Sequence, residues 1–341
     1  MPSYALAGSG TSAAIWAQTI TSLDGHELRS VHGGRADHAE RLAAGYGAAV
    51  GGHDDLGRGV DVAVVASAPP AHAADALRAV GNGAAALVEA PLCATLTDAD
   101  ALVEAVAAGA HVAAAEHLLF SPLVRDAVRR VRELGPLSSM QVRVLQQPPV
   151  RRTALDARWG GGVLFDLGAH PLAVLLTMVG TDRPVSVSAR LAQADTSVHA
   201  VDDLADVRLQ LASGARCALE LSWRASEPQW DLQVATPAST LRLELLPDPH
   251  VEQLGVDLPR PPRRHRGVEP AQLEVFGYLD QVVEHAADLA AGRPPYVDVH
   301  LGRYVLDVIC AAYRSAGTGE PEPLPFTGPR DRTPWQLWRE P

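Results

Sequence analysis

The sequence predicts an α/β protein: an N-terminal doubly wound parallel sheet, then a C-terminal α/β domain built on a mostly antiparallel, open sheet. Three observations lead there. Up to residue 119, short and almost continuously apolar runs alternate with longer amphipathic stretches, the pattern of parallel strands covered by helices on both faces. Between residues 185 and 245, strand-like runs follow one another without crossover helices, which calls for antiparallel or mixed pairing. A chain of 341 residues also has room for two domains of ordinary size. The expected domains are therefore 1–119 and 120–341.

In the first domain, strands are expected at 4–7, 28–31, 62–66, 85–88 and 112–115, with helices at 13–23, 37–46, 71–80 and 98–108. A further helix at 125–134 stops at Gly135-Pro136. A strand at 137–145 opens the second domain, and Gly160-Gly161-Gly162 introduces an apolar helix across 163–179. Strands follow at 185–191, 205–211, 215–222 and 241–245, with Ala212-Ser213-Gly214 as a hairpin turn. Two helices, 273–291 and 303–315, come after the Pro-rich stretch at 258–262.

Composition narrows the chemistry. All 29 basic side chains are arginine, so no mechanism can use a lysine Schiff base, a lysine acid or a P-loop lysine. A formal net charge of −11 argues against nucleic acid as a partner, and the run Arg263-Arg264-His265-Arg266 reads as a solvated loop. Cys93, Cys217 and Cys310 are too widely spaced for a zinc pattern and are expected to be reduced, with no metal site. No apolar run reaches the roughly 18 residues of a membrane span, and the N-terminus lacks the basic and apolar regions of a leader. Neither a membrane nor export is expected, and the cytoplasm is the default.

Ala7-Gly8-Ser9-Gly10-Thr11-Ser12-Ala13 fits G-x-G-x-x-A between the first strand and the first helix. There, Gly10 lets a pyrophosphate approach backbone N–H groups at a helix N-terminus, and Ala13 permits close helix–strand packing. The competing reading is a turn that serves packing alone. An acidic residue expected at the end of the second strand, to bind the ribose hydroxyls, is missing. In its place stand Val31-His32-Gly33-Gly34-Arg35. The glycines leave room, and Arg35 facing a 2′-phosphate favours NADP over NAD. The alternative is an exposed arginine beside a flexible turn.

Several segments together resemble the Gfo/Idh/MocA oxidoreductase family, which includes glucose–fructose oxidoreductase and inositol dehydrogenases. Ser67-Ala68-Pro69-Pro70-Ala71-His72 is similar to its T-P-x-x-x-H turn, and Val88-Glu89-Ala90-Pro91 occupies the place of its E-K-P. Glu116-His117-Leu118-Leu119-Phe120-Ser121-Pro122 resembles N-x-R-F-x-P. Gly161-Gly162-Val163-Leu164-Phe165-Asp166-Leu167-Gly168-Ala169-His170 matches G-G-x-x-x-D-x-G-x-H, the most specific of these motifs. The similarity runs in order along nearly the whole chain. It implies an N-terminal Rossmann domain that binds the dinucleotide. It also implies a C-terminal domain that binds a small, often sugar-like substrate and oligomerises through its sheet, as a homodimer or homotetramer. The cofactor contacts implied are Gly8, Ser9, Gly10, Thr11, Ser12, Gly33, Gly34, Arg35, Ser67, Ala68, Pro69, His72, Glu89 and Ala90.

The departures from the family bear on the reaction. Its lysine of E-K-P is Ala90 here, and a methyl group neither donates a proton nor holds charge, so the usual relay for oxidising CH–OH is incomplete. His170 is the best acid–base candidate. Asp166, four residues earlier, would share a face with it on a helix and orient it. The competing reading of this pair is a helix cap and a satisfied core histidine. The family's later aspartate is Ala173, which weakens any metal or polyol role at that helix. His117, at the edge where such sheets open their sites, is a second proton donor or else a helix-entry histidine. Trp159, Phe120 and Trp223 are candidates to line a substrate pocket, although packing is the commoner fate of such rings. Three functions remain. The first is an NADP- or NAD-dependent oxidoreductase on a ketone, imine or sugar-like substrate, and imine reduction, as in the thiazolinyl imine reductases of this broad family, suits Ala90. The others are a redox-neutral lyase, epimerase or cyclase, and a non-catalytic ligand sensor.

Overall fold

The computed structural model describes residues 1–149, 152–194 and 200–341, without the side chains of 152 and 153. Two compact units emerge, one comprising Met1–His117 with Arg264–Arg303, the other Leu118–Arg263 with Tyr304–Pro341. The first is thus discontinuous in sequence. A division by sequence order, at 119/120, has no means of showing that return.

In the first unit, β1 (Ser3–Ala7), β2 (Glu27–His32), β3 (Ala49–Gly51), β4 (Val62–Val65), β5 (Ala85–Glu89) and β6 (Val112–Ala115) form one sheet in the order β3-β2-β1-β4-β5-β6. Every pair is parallel. β1, β4, β5 and β6 are buried at every residue, as strands covered on both faces must be. The helix Tyr278–Ala290, which lies on the returning segment, completes the cover. Its Leu279 and Val282 join Trp16, Ile20, Leu6 and Leu87 in one apolar cluster, and Gln281 donates to the Ala114 carbonyl at 3.2 Å. Expected strand ends are met to within a residue or two; β3, short and mostly exposed, was not anticipated.

The second unit carries a nine-stranded sheet. Its strands are β7 (Ser139–Leu145), β8 (Pro184–Ala192), β9 (Leu204–Leu211), β10 (Arg216–Ser222), β11 (Gln229–Ala235), β12 (Thr240–Leu246), β13 (His250–Gln253), β14 (Val256–Asp257) and β15 (Glu322–Pro323). They run in the order β14-β13-β12-β11-β7-β10-β9-β8-β15, antiparallel throughout except for β7 beside β10. Met140, Val142 and Val144 on β7, and Cys217, Leu219 and Leu221 on β10, are buried; Gln141, Arg216 and Glu220 between them face outward. One face therefore packs within the unit while the other is polar.

Two expected helices are divided. The stretch 163–179 forms Val163–Leu167 and Ala169–Val179, with a 46° bend. Pro171 has no N–H to bond back to residue 167, so it is tolerated only in the first turn of a new helix. Gly168 makes the corner, since a Cβ there would lie 2.3 Å from the Leu164 carbonyl oxygen. Likewise, 273–291 breaks into Gln272–Val275 and Tyr278–Ala290 around Gly277 at φ +82°. Among the described residues no single helix is long and apolar enough to cross a membrane.

Candidate active site

The first unit gathers its candidate residues where the parallel strands end. Gly8 follows β1, Gly33 follows β2, Ser67 comes two residues after β4, Ala90 follows β5 and His117 lies two residues after β6. Ligands of open parallel sheets bind at this carboxyl edge. Parallel pairing of Ala7 with His32 brings two glycine turns side by side, and the Gly8 amide donates to the His32 carbonyl at 2.8 Å.

The two glycines of the first turn differ in purpose. Gly8 has φ +100°, and a Cβ on it would lie 2.5 Å from the Ala66 carbonyl oxygen, so glycine is needed for packing. Above Gly10 nothing lies within 4 Å of where a Cβ would stand. Gly10 caps the helix Thr11–Thr21 with no side-chain bond, and the first turn holds no acidic residue. Gly10 thus leaves room at the N-terminus of this helix, with the helix dipole behind it, which is what a pyrophosphate requires. Ser9 lies over the second turn: a Cβ on Gly34 would meet its Oγ at 2.2 Å. These residues fit a dinucleotide.

Other candidates are committed to protein partners. His32 is buried, its Nδ1 donating to the Gly52 carbonyl at 2.8 Å and its Nε2 2.8 Å from Ser30 Oγ. Arg35 is bound in a fork by Asp37, at 3.2 and 3.0 Å. Ser67 donates to Asp75 at 2.7 Å. Ala68 precedes the 3₁₀ turn that begins at the buried Pro69. His72 clasps the Ser67 carbonyl at 3.0 Å and those of Pro91 and Leu92 at 3.1 and 3.3 Å, and its burial depresses its pKa.

At the end of β5, Glu89 is buried. It accepts the Trp16 indole N–H at 3.1 Å on one oxygen and the Ala90 amide at 2.9 Å on the other. Trp16 meets Tyr278 edge-on, with centroids 5.1 Å apart, and Tyr278 stacks on His117 at 3.9 Å. His117 Nδ1 lies 2.7 Å from the Phe276 carbonyl, which can only accept. Its proton therefore sits on Nδ1 and Nε2 is the basic nitrogen.

In the second unit, Asp166 and His170 lie in different short helices on either side of Gly168, so the expected arrangement on one face of a continuous helix does not hold. Both are half-buried. Asp202 fixes the segment that precedes them. Its carboxylate accepts the Gly162 and Leu164 amides, both at 3.0 Å, and the Tyr313 hydroxyl at 2.6 Å. It thereby caps the helix Val163–Leu167 from 40 residues away. A Cβ on Gly162 would lie 2.1 Å from the Asp202 carbonyl oxygen, which accounts for that glycine. Burial raises the Asp202 pKa against the pull of these donors. Phe120 and Trp223 are buried at 3% and 1%, as packing residues are; Trp159 is half-buried. Sequence reasoning missed Trp16 and Asp202. A lone indole on the inner face of the first helix, which must find an acceptor, was the available signal for Trp16.

Comparison with known proteins agrees with this geometry. Residues 3–117 match the model of an oxidoreductase family with an NAD-binding Rossmann fold, and residues 124–243 match the GFO/IDH/MocA C-terminal domain. None of the curated proteins compared matches the chain. Among solved structures, GenD2 from gentamicin A biosynthesis, in complex with NAD, superposes with a TM-score of 0.83 at 24% identity, covering 95% of this chain and 96% of that one. An oxidoreductase from Agrobacterium radiobacter, in complex with NAD+, L-tartaric acid and magnesium, gives 0.82 at 17% identity over 94% and 98%. Aldose-aldose oxidoreductase from Caulobacter crescentus, complexed with glycerol, gives 0.81 at 21% over 95% and 99%. At such identities the likeness is one of fold.

Proposed function

The chain belongs to the Gfo/Idh/MocA oxidoreductase family, and from that premise we propose an NAD(P)-dependent oxidoreductase of small ketones, imines or sugar-like compounds, with His170 as its acid–base group. The end of β5 carries this reading. There the Glu89 carboxylate is folded onto Trp16 and the next amide, and Ala90 contributes only a methyl group, where the family places the lysine that serves the reacting hydroxyl.

A bound nicotinamide supplies or accepts the hydride. The amides behind Gly10 hold its pyrophosphate, and NADP is preferred to NAD through Arg35. Moving the proton falls to the protein. Alcohol oxidation requires a base at the hydroxyl, and imidazole at His170 meets that need without lysine. A protonated imine needs no donor at the moment of hydride transfer, so imine reduction suits a site with Ala90. Asp166 and His117 are the further candidates in this scheme for orienting or carrying the proton.

The polar face of the nine-stranded sheet is the proposed contact of a homodimer or homotetramer. It carries ion pairs, with Arg143 3.2 Å from Asp231 and Arg242 2.6 Å from Glu244, beside the outward-facing Arg216 and Glu220, which suits a wet, salt-sensitive interface. Light scattering after size exclusion should give at least twice the monomer mass; a monomer at every concentration removes this part of the proposal.

Fluorescence titration with NADH and NADPH tests the cofactor. Failure of both to bind below millimolar concentration ends the oxidoreductase reading. His170→Ala should abolish turnover while leaving nucleotide affinity within about twofold, and an unchanged rate moves the acid–base role to His117. Turnover with no net change in nicotinamide absorbance would instead favour a lyase or epimerase.

A further inference from the structure

The nucleotide-binding unit holds an ion cluster that its fold does not require. Asp37 lies in the first turn of the helix Ala36–Gly45, just past the second glycine turn. Arg35 Nε and Nη2 reach its two oxygens at 3.2 and 3.0 Å, and Arg41 donates to the same Oδ2 at 3.2 Å. His38 Nε2 stands 3.9 Å from it. The arginines are 71% and 66% exposed, and ion pairs so open to water add little stability. They do hold the Asp37 carboxyl down to about 2, Arg35 foremost.

The location gives the cluster its meaning. In a doubly wound sheet the turn after the second strand reads the adenosine ribose: an acid there takes the 2′-hydroxyl, an arginine a 2′-phosphate. Here His32 is buried and bonded on both ring nitrogens, and Gly33 and Gly34, at φ +69° and +74°, offer no side chain. Arg35 and Asp37 are the first charged groups beyond them. Two guanidinium groups closing on one small anion also describe a phosphate site, because their fork geometry suits carboxylate and phosphate alike.

We propose that the Asp37 carboxylate is a built-in substitute for the 2′-phosphate of NADP, held by Arg35 and Arg41 in the free protein and exchanged for the phosphate on binding. Asp37, rather than Arg35 alone, then sets the discrimination between the two nucleotides. The inference rests on the reading of this unit as a nicotinamide site. The displaced carboxylate stays next to a group of nearly two negative charges, and that repulsion holds NADP affinity down.

The test is fluorescence titration of the full-length protein with NADPH and NADH. Asp37→Asn should tighten NADPH roughly tenfold, the effect of removing one charge about 4 Å from a phosphate in a high-dielectric setting. NADH should change by less than about twofold. Adding Arg35→Ala to Asp37→Asn should abolish the gain. If both nucleotides bind and their affinity ratio does not move in Asp37→Asn, the inference is overturned and the cofactor reading stands. Weakening of NADH alone overturns it too, making Asp37 the ribose acceptor. If neither nucleotide binds wild type or variant, the cofactor reading fails and this inference with it.

Discussion

The Tyr313 hydroxyl donates to Asp202 at 2.6 Å and in turn accepts the amides of Gly162 at 2.9 Å and Phe165 at 3.3 Å. Both side chains are fully buried, so every group in this knot depends on the others. Desolvation, together with the neighbouring Asp202, raises the phenol's pKa well above its ordinary value, which keeps the hydroxyl a donor at any working pH. The knot fixes the turn leading to Asp166 and His170 without touching either motif side chain.

Tyr313→Phe should therefore cost about 1–3 kcal/mol, because it strips a partner from Asp202 and from two buried amides. Asp202→Asn should cost more, since an NH2 group must face an amide donor wherever it is placed. Urea denaturation measures both. If the knot also positions the motif, Tyr313→Phe lowers kcat while nicotinamide affinity holds. A fall in affinity equal to the fall in kcat would show general unfolding instead.

Gly8 and Gly10 should respond in opposite ways to one methyl group. Gly8→Ala places a Cβ 2.5 Å from a backbone carbonyl at φ +100°, and should destabilise the protein by about 1–3 kcal/mol. Gly10→Ala sits at φ −88° and ψ −167°, an ordinary extended conformation with open space ahead. Its melting temperature should stay within about 2 °C of wild type while dinucleotide affinity falls at least tenfold, because the methyl group fills the pyrophosphate's approach. Unaltered affinity in Gly10→Ala would remove the phosphate cradle from this turn.

Ala90→Lys would put an ammonium group on the residue after the buried Glu89. With the base restored, the variant should gain nicotinamide-dependent oxidation of a sugar or polyol, read at 340 nm. No gain, in a variant that still binds the nucleotide, would mean that the pocket and not the missing base excludes alcohols.

The parts legible in the sequence are those with a local cause. Continuous apolar runs gave away β1, β4, β5 and β6, and the glycine turns marked the carboxyl ends of β1 and β2. Local reasoning fell short where a partner was distant. Strand β11 carries Asp231 in its interior, a poor strand residue until Arg143 is seen 88 positions away at 3.2 Å. Trp16 and Glu89 are 73 positions apart, and Tyr313 and Asp202 are 111 apart, so neither pair has a sequence signature. The division at Gly168 is a different case. Pro171 announced it, but the mostly apolar stretch from Val163 to Val179 outweighed the proline in a reading by periodicity.

The pair His111 and His285 makes the first unit sensitive to acid. Their rings meet edge-on with centroids 5.4 Å apart. Neither nitrogen of His285 has a hydrogen-bond partner among the described residues. Burial first, and His111 next, push the His285 pKa down to about 4, against a smaller pull from Asp288, which Arg293 holds at 2.8 Å. Burial lowers His111 as well. A folded-state pKa below the unfolded one means that the unfolded chain takes up protons first. The stability is therefore complete above about pH 6.5 and is lost as pH falls from there through about 4. For His285 alone the loss between pH 7.5 and pH 5 is on the order of 2 kcal/mol. His285→Leu, which buries no new polar group, should flatten that acid limb in denaturant titrations at the two pH values. An equally steep limb in His285→Leu would place the acid sensitivity elsewhere.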